Sequence, residues 1–70
     1  MNIQEQYEDL ERDLKDIEYD YGVILDGRGP KEFYKNKKLS NLGQRKIKEL
    51  ESAMEDVRYL MNFLFEKNYE

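Results

Sequence analysis

The chain contains no cysteine and no histidine. Without cysteine there is no disulfide to staple a small fold, and without either residue the usual zinc ligand sets are out of reach. The two serines, Ser40 and Ser52, have no imidazole to serve as base, which excludes Ser-His and Cys-His catalysis. The Glu-x-x-His pairs of a carboxylate-bridged di-metal bundle cannot be written either. No apolar run approaches the ~18 residues that a membrane span needs. The opening residues, Met1-Asn2-Ile3-Gln4-Glu5, are polar and acidic, not the basic-then-apolar order of a secretory leader. These absences predict a cytoplasmic protein with no metal, no cofactor and no catalytic residues.

Proline occurs once and glycine four times, so little interrupts the chain. Charged residues make up 40% of it, well above the ~25% of an average domain. Such a composition suits either disorder or a helical, coiled-coil-like protein. Periodicity decides for the helix. Ile3, Tyr7, Leu10, Leu14, Ile17, Tyr21 and Ile24 recur at alternating spacings of four and three. Ile47, Leu50, Met54, Val57, Met61 and Leu64 do the same. Both are heptad stripes separated by charged residues.

Between the stripes, Asp26-Gly27-Arg28-Gly29-Pro30 is the strongest breaker in the chain. Helices are therefore expected over about 2–25 and 41–66, joined by a connection over about 26–40. Asn2 with Glu5 is a capping pair for the first helix, and Gly27 is the favoured end. Asn41 with Gln44 is the favoured cap of the second, with Ser40 as the alternative. Pro30 suits the first position of a short helix over 30–36, with Phe33 and Tyr34 closing the end of the hairpin. The fold class is all-α: an antiparallel two-helix hairpin with heptad packing, in a single domain over 1–70. Aligning the stripes layer by layer sets Leu10 against Val57 and Ile24 against Gly43. It also puts Glu11 near Arg58 and Asp20 near Lys46.

The stretch Val57 to Phe65 then stands out, because seven of its nine residues are apolar or aromatic. A helix that faces water on one side carries a single stripe. This one needs cover on more than one side, and the first helix supplies only one. Seventy residues bury a modest fraction of their surface, and small domains without disulfides or metals commonly associate. A homodimer, with two hairpins forming a four-helix bundle, is the expected solution. The candidate interface is Ala53, Tyr59, Leu60, Phe63 and Phe65.

Charge is unevenly placed. Residues 1–21 carry net −6, residues 22–38 net +3 and residues 39–70 net −1, within an overall −4. The acids Glu8, Asp9, Glu11, Asp13, Asp16, Glu18 and Asp20 are a candidate surface for a basic partner; the plainer reading is a solvated helix face. Lys35, Lys37, Lys38, Arg45 and Lys46 are candidate anion contacts, by which the chain would associate with nucleic acid. The plainer reading is that they neutralise nearby acids of the first helix. An overall negative charge disfavours duplex binding. The expected function is a non-enzymatic protein-binding module, a small acidic regulator or inhibitor of a larger macromolecule. Its size suits regulators encoded by phages and mobile elements. The alternatives are the nucleic-acid role and a structural subunit of a larger helical assembly.

Overall fold

A computed structural model of the chain describes residues 2–68. Met1, Tyr69 and Glu70, part of the expected 1–70 domain, lie outside the described residues. Two long helices, α1 (Ile3–Leu25) and α2 (Asn41–Asn68), pack against each other as an antiparallel hairpin 52 Å long and 15 Å across. Between them run a 3₁₀ turn (Lys31–Phe33) and a two-residue ladder, β1 (Tyr34–Lys35) against β2 (Lys38–Leu39).

Each end of α1 is determined by local chemistry. The Asn2 side chain accepts from the Glu5 amide at 2.8 Å and so satisfies one of the orphan donors of the first turn. At the other end Gly27 takes φ +78°, the left-handed conformation that favours glycine. From there the Gly27 amide donates to the Ile24 carbonyl at 3.1 Å and the Arg28 amide to the Val23 carbonyl at 3.0 Å. That pair of bonds is a Schellman motif, and it ends the helix sharply. Gly22 stays inside α1.

The connection departs from the sequence expectation. Only Lys31–Phe33 are helical, as a single 3₁₀ turn that Pro30 precedes, and Tyr34 to Asn36 of the expected 30–36 helix belong to a β-hairpin. Its tip, Asn36 and Lys37, has φ 53° and 65°, which matches the twist of a two-residue hairpin turn. Asparagine tolerates that conformation well, whereas lysine is held in it by the ladder on both sides. The cap of α2 is likewise Ser40 and not Asn41. Ser40 Oγ accepts from the Gly43 amide at 3.1 Å while its hydroxyl donates to the Glu32 carbonyl at 2.7 Å. The one hydroxyl therefore both starts the helix and ties it to the turn before it.

Gly43 permits a close approach, and its nearest neighbours belong to the connection. A Cβ at Gly43 would collide with the Phe33 backbone carbonyl and stand 3.2 Å from Leu39 Cδ2. The 3₁₀ turn is seated on the first turn of α2. The tip is further fixed by Tyr34, whose hydroxyl accepts from the Gly29 amide at 2.7 Å and donates to the Ile24 carbonyl at 2.9 Å. A single aromatic side chain thus bridges the end of α1 to the loop that leaves it.

The core is thin. Among the described residues the buried apolar side chains are Ile24, Leu50 and Met54, at 5%, 7% and 8% exposure. Every other residue of the two stripes is half-buried. The stripes do face inward, yet two helices cover each other on one side only.

The expected ion pairs across the hairpin are not formed. Among the described residues the ion pairs are Asp9–Arg12, Asp26–Arg28 and Lys46–Glu49, at 3.6, 3.1 and 3.9 Å. Lys46 therefore turns to Glu49, three residues along its own helix, and not to Asp20. Exposed pairs contribute only ~0.2–1 kcal/mol, too little to draw long side chains across a seam when a neighbour is nearer. The polar contact that does cross is Tyr21, whose hydroxyl donates to Glu51 Oε2 at 3.2 Å.

A candidate interaction surface

Two grooves run along the seam, one on each side, and they differ in character. The first is lined by Glu18, Tyr21, Glu51, Met54, Glu55 and Arg58. It is open and of mixed polarity, and it contains the Tyr21–Glu51 bond. Partial burial of the Tyr21 hydroxyl raises its pKa above 10.0, and the hydrogen bond to Glu51 and that carboxylate's negative charge push it the same way. Three carboxylates and one guanidinium meet here on an open surface. Among the described residues no group of acids is placed to hold a metal ion.

The second groove is apolar. It is lined by Gln6, Asp9, Leu10, Leu60, Phe63 and Leu64 and has a volume of about 410 Å³. Leu60 is 47% exposed and Phe63 50% exposed, although both are large hydrophobes on an ordered helix. Phe63 also borders a smaller depression with Tyr59, Asn62 and Glu66. The Lys67 ammonium stands 5.3 Å from the centroid of the Phe63 ring, within cation–π range.

The five candidate interface residues therefore do not form one patch. Leu60 and Phe63 share the apolar groove. Ala53 is half-buried two turns earlier on the flank of Leu60. Tyr59 reaches the group only through Phe63 and is 71% exposed. Phe65, at 54% exposure, lines neither groove. Helical geometry explains the division: each residue turns ~100° about the axis, so neighbours in sequence point to different sides. Sequence reasoning missed Leu42, which is 48% exposed at the start of α2.

The acids of α1 are all exposed, but they wrap the helix and do not form one face. Asp9 lies beside Phe63, whereas Glu18 lies beside Arg58 on the opposite side of the hairpin. Asp9 is paired with Arg12, and Glu8 accepts from Gln4 at 3.4 Å. The candidate anion contacts cluster in part. Lys35 and Lys38 line a shallow depression with Asn36, Leu39, Ser40 and Asn41 at the hairpin tip. Lys37 stands at the turn, Arg45 is exposed on α2, and Lys46 is engaged by Glu49. The helix start beneath them is already capped by Ser40.

No helix among the described residues is long and apolar enough to cross a membrane. No family model, curated protein or solved structure matches this chain.

Proposed function

We propose that the protein is a non-enzymatic protein-binding module: a helical hairpin that pairs with a second copy into a four-helix bundle and acts on a larger macromolecular partner. The observation that carries this reading is the half-exposed pair Leu60 and Phe63 in an apolar groove, on a molecule with only three buried apolar side chains among its described residues. Exposed apolar surface gathered in one groove beside such a thin core favours association. The seven-residue period of both stripes supports a left-handed bundle with helices crossing near +20°. Tyr59, outside the groove, and the acids of α1 then supply the contact surface for a larger, basic partner, since aromatic side chains dominate binding hot spots. The lack of histidine and cysteine and the openness of both grooves support a binding role over catalysis.

Replacing Phe63 by glutamate tests this. Circular dichroism should show unchanged helix content, because position 63 contributes little to the buried core. Light scattering should show dissociation of the pair, and a captured partner should be lost. A variant that keeps its mass and its binding would refute the assignment of this surface.

A further inference from the structure

Resting on that reading, we infer how the second copy lies: antiparallel to the first, along the flank of α2 that carries Leu42, Lys46, Glu49, Ala53, Asp56 and Leu60. Each of the last five precedes a stripe residue, namely Ile47, Leu50, Met54, Val57 and Met61. At 3.6 residues per turn the flank therefore lies ~100° round the helix from the core, where the adjacent helix of a four-helix bundle belongs. Spacings of four, three, four, three and four repeat along it, the pattern of a second seam. Phe63, three residues on, extends it to the apolar groove. Leu42 and Leu60 are half-exposed, and Ala53 is small enough for close approach.

Charge selects the orientation. In a parallel, in-register pairing, Lys46 meets Lys46, Glu49 meets Glu49 and Asp56 meets Asp56. Three of the six layers would then be repulsive. Turned antiparallel about a two-fold axis at the level of position 51, the same residues complement one another. Leu42 packs on Leu60 of the second copy, Lys46 meets Asp56, and Glu49 lies over Ala53. Every layer recurs on the other side of the axis. The loose 3.9 Å contact of Lys46 with Glu49 leaves its ammonium able to reach a second carboxylate.

Two further observations agree. The axis lies near the middle of the hairpin, so the copies overlap along almost their full length. One long side of a 52 by 15 Å hairpin offers on the order of 780 Å², close to the ~800 Å² per partner of a standard interface. The overlap also brings the tip of one copy, with Lys35, Lys37 and Lys38, level with the first turns of α1 of the other, where Glu5, Glu8 and Asp9 lie. The lysines of the tip thereby acquire a partner that their own α1 does not provide.

The chain has no cysteine, so thiols can be introduced singly. Leu42→Cys and Leu60→Cys proteins are prepared separately, mixed and oxidised. The mixture should cross-link and neither variant alone should, because equivalent positions 42 lie about 27 Å apart along the axis, whereas a disulfide requires Cα atoms within ~7 Å. Self-cross-linking of Leu42→Cys would establish a parallel pair and overturn the orientation while leaving the dimer standing. A dimeric mass with no cross-link in the mixture would overturn the choice of flank. A monomeric mass for the unaltered chain at every concentration would overturn the dimer reading itself. Charge reversal is an independent check. Lys46→Glu and Asp56→Lys should each weaken dimerisation on the order of tenfold, and the double reversal should restore it. Restoration failing, with the dimer intact in the unaltered chain, refutes the Lys46–Asp56 layer.

Discussion

Alanine at Gly22 and alanine at Gly43 are expected to shift stability in opposite directions, although both glycines lie within helices. Inside a helix, glycine to alanine ordinarily gains up to ~1 kcal/mol, through the backbone entropy that glycine loses on folding. A Cβ at Gly22 meets nothing within 4 Å, so that gain should appear in full. A Cβ at Gly43 meets the Phe33 carbonyl, which is backbone and cannot rotate away. Relief requires lifting the turn off α2. The lift strains the 2.8 Å bond from the Ser40 amide to the Phe33 carbonyl and both bonds of the Ser40 hydroxyl. Losing two hydrogen bonds and a cap costs about 2–4 kcal/mol, against a propensity gain of ~1. The net is a destabilisation of about 1–3 kcal/mol. In a domain of this size each kcal/mol moves Tm by ~4–8 °C. Thermal melts followed by far-UV circular dichroism should place Gly22→Ala a few degrees above the parent and Gly43→Ala well below it. The comparison is made at matched concentration, since association shifts Tm by mass action. A Gly43→Ala protein as stable as the parent would refute the seating of the turn on α2.

Other perturbations follow from the same contacts. Tyr34→Phe removes the hydroxyl that joins the Gly29 amide to the Ile24 carbonyl, and denaturant unfolding should show a loss of ~1–3 kcal/mol with oligomeric mass unchanged. Tyr21 titrates above 10.0 in the folded chain, so its protonated form favours folding; this contribution is complete below pH 10.0 and is lost as pH rises from there through the folded value. Tyr21→Phe should therefore unfold with a shallower alkaline dependence than the parent while matching its slope near neutral pH. Identical alkaline slopes would refute the Tyr21–Glu51 bond.

The helices were legible because their signals are periodic and redundant. Ile3 through Ile24 repeats one statement seven times, and no single residue decides it. The Asn2 cap and the Gly27 end were legible because each relies on a residue type with few other uses at that position. The tip was not. Pro30 favours a helical start, whereas Asn36-Lys37 lacks the glycine that usually marks a two-residue hairpin turn. The ladder it supports is only two residues long. The role of Gly43 was half legible: a glycine in a first turn signals a close approach, but its partner proved to be the Phe33 backbone, which carries no side-chain signature. The ion pairs expected across the hairpin are absent because an exposed pair contributes too little to fix two long side chains, and Lys46 finds Glu49 on its own helix. At the candidate surface, composition located the apolar surplus between Val57 and Phe65. The distribution over the sides of α2 required the helix phase, which separates Leu60 and Phe63 from Tyr59.

Sedimentation equilibrium on the unaltered protein, over a wide concentration range, decides whether a second copy covers the apolar flank of α2. A species of twice the 8.5 kDa chain mass that dissociates reversibly on dilution is the expected result. A single 8.5 kDa species at every concentration, with helix content intact, would refute the pairing.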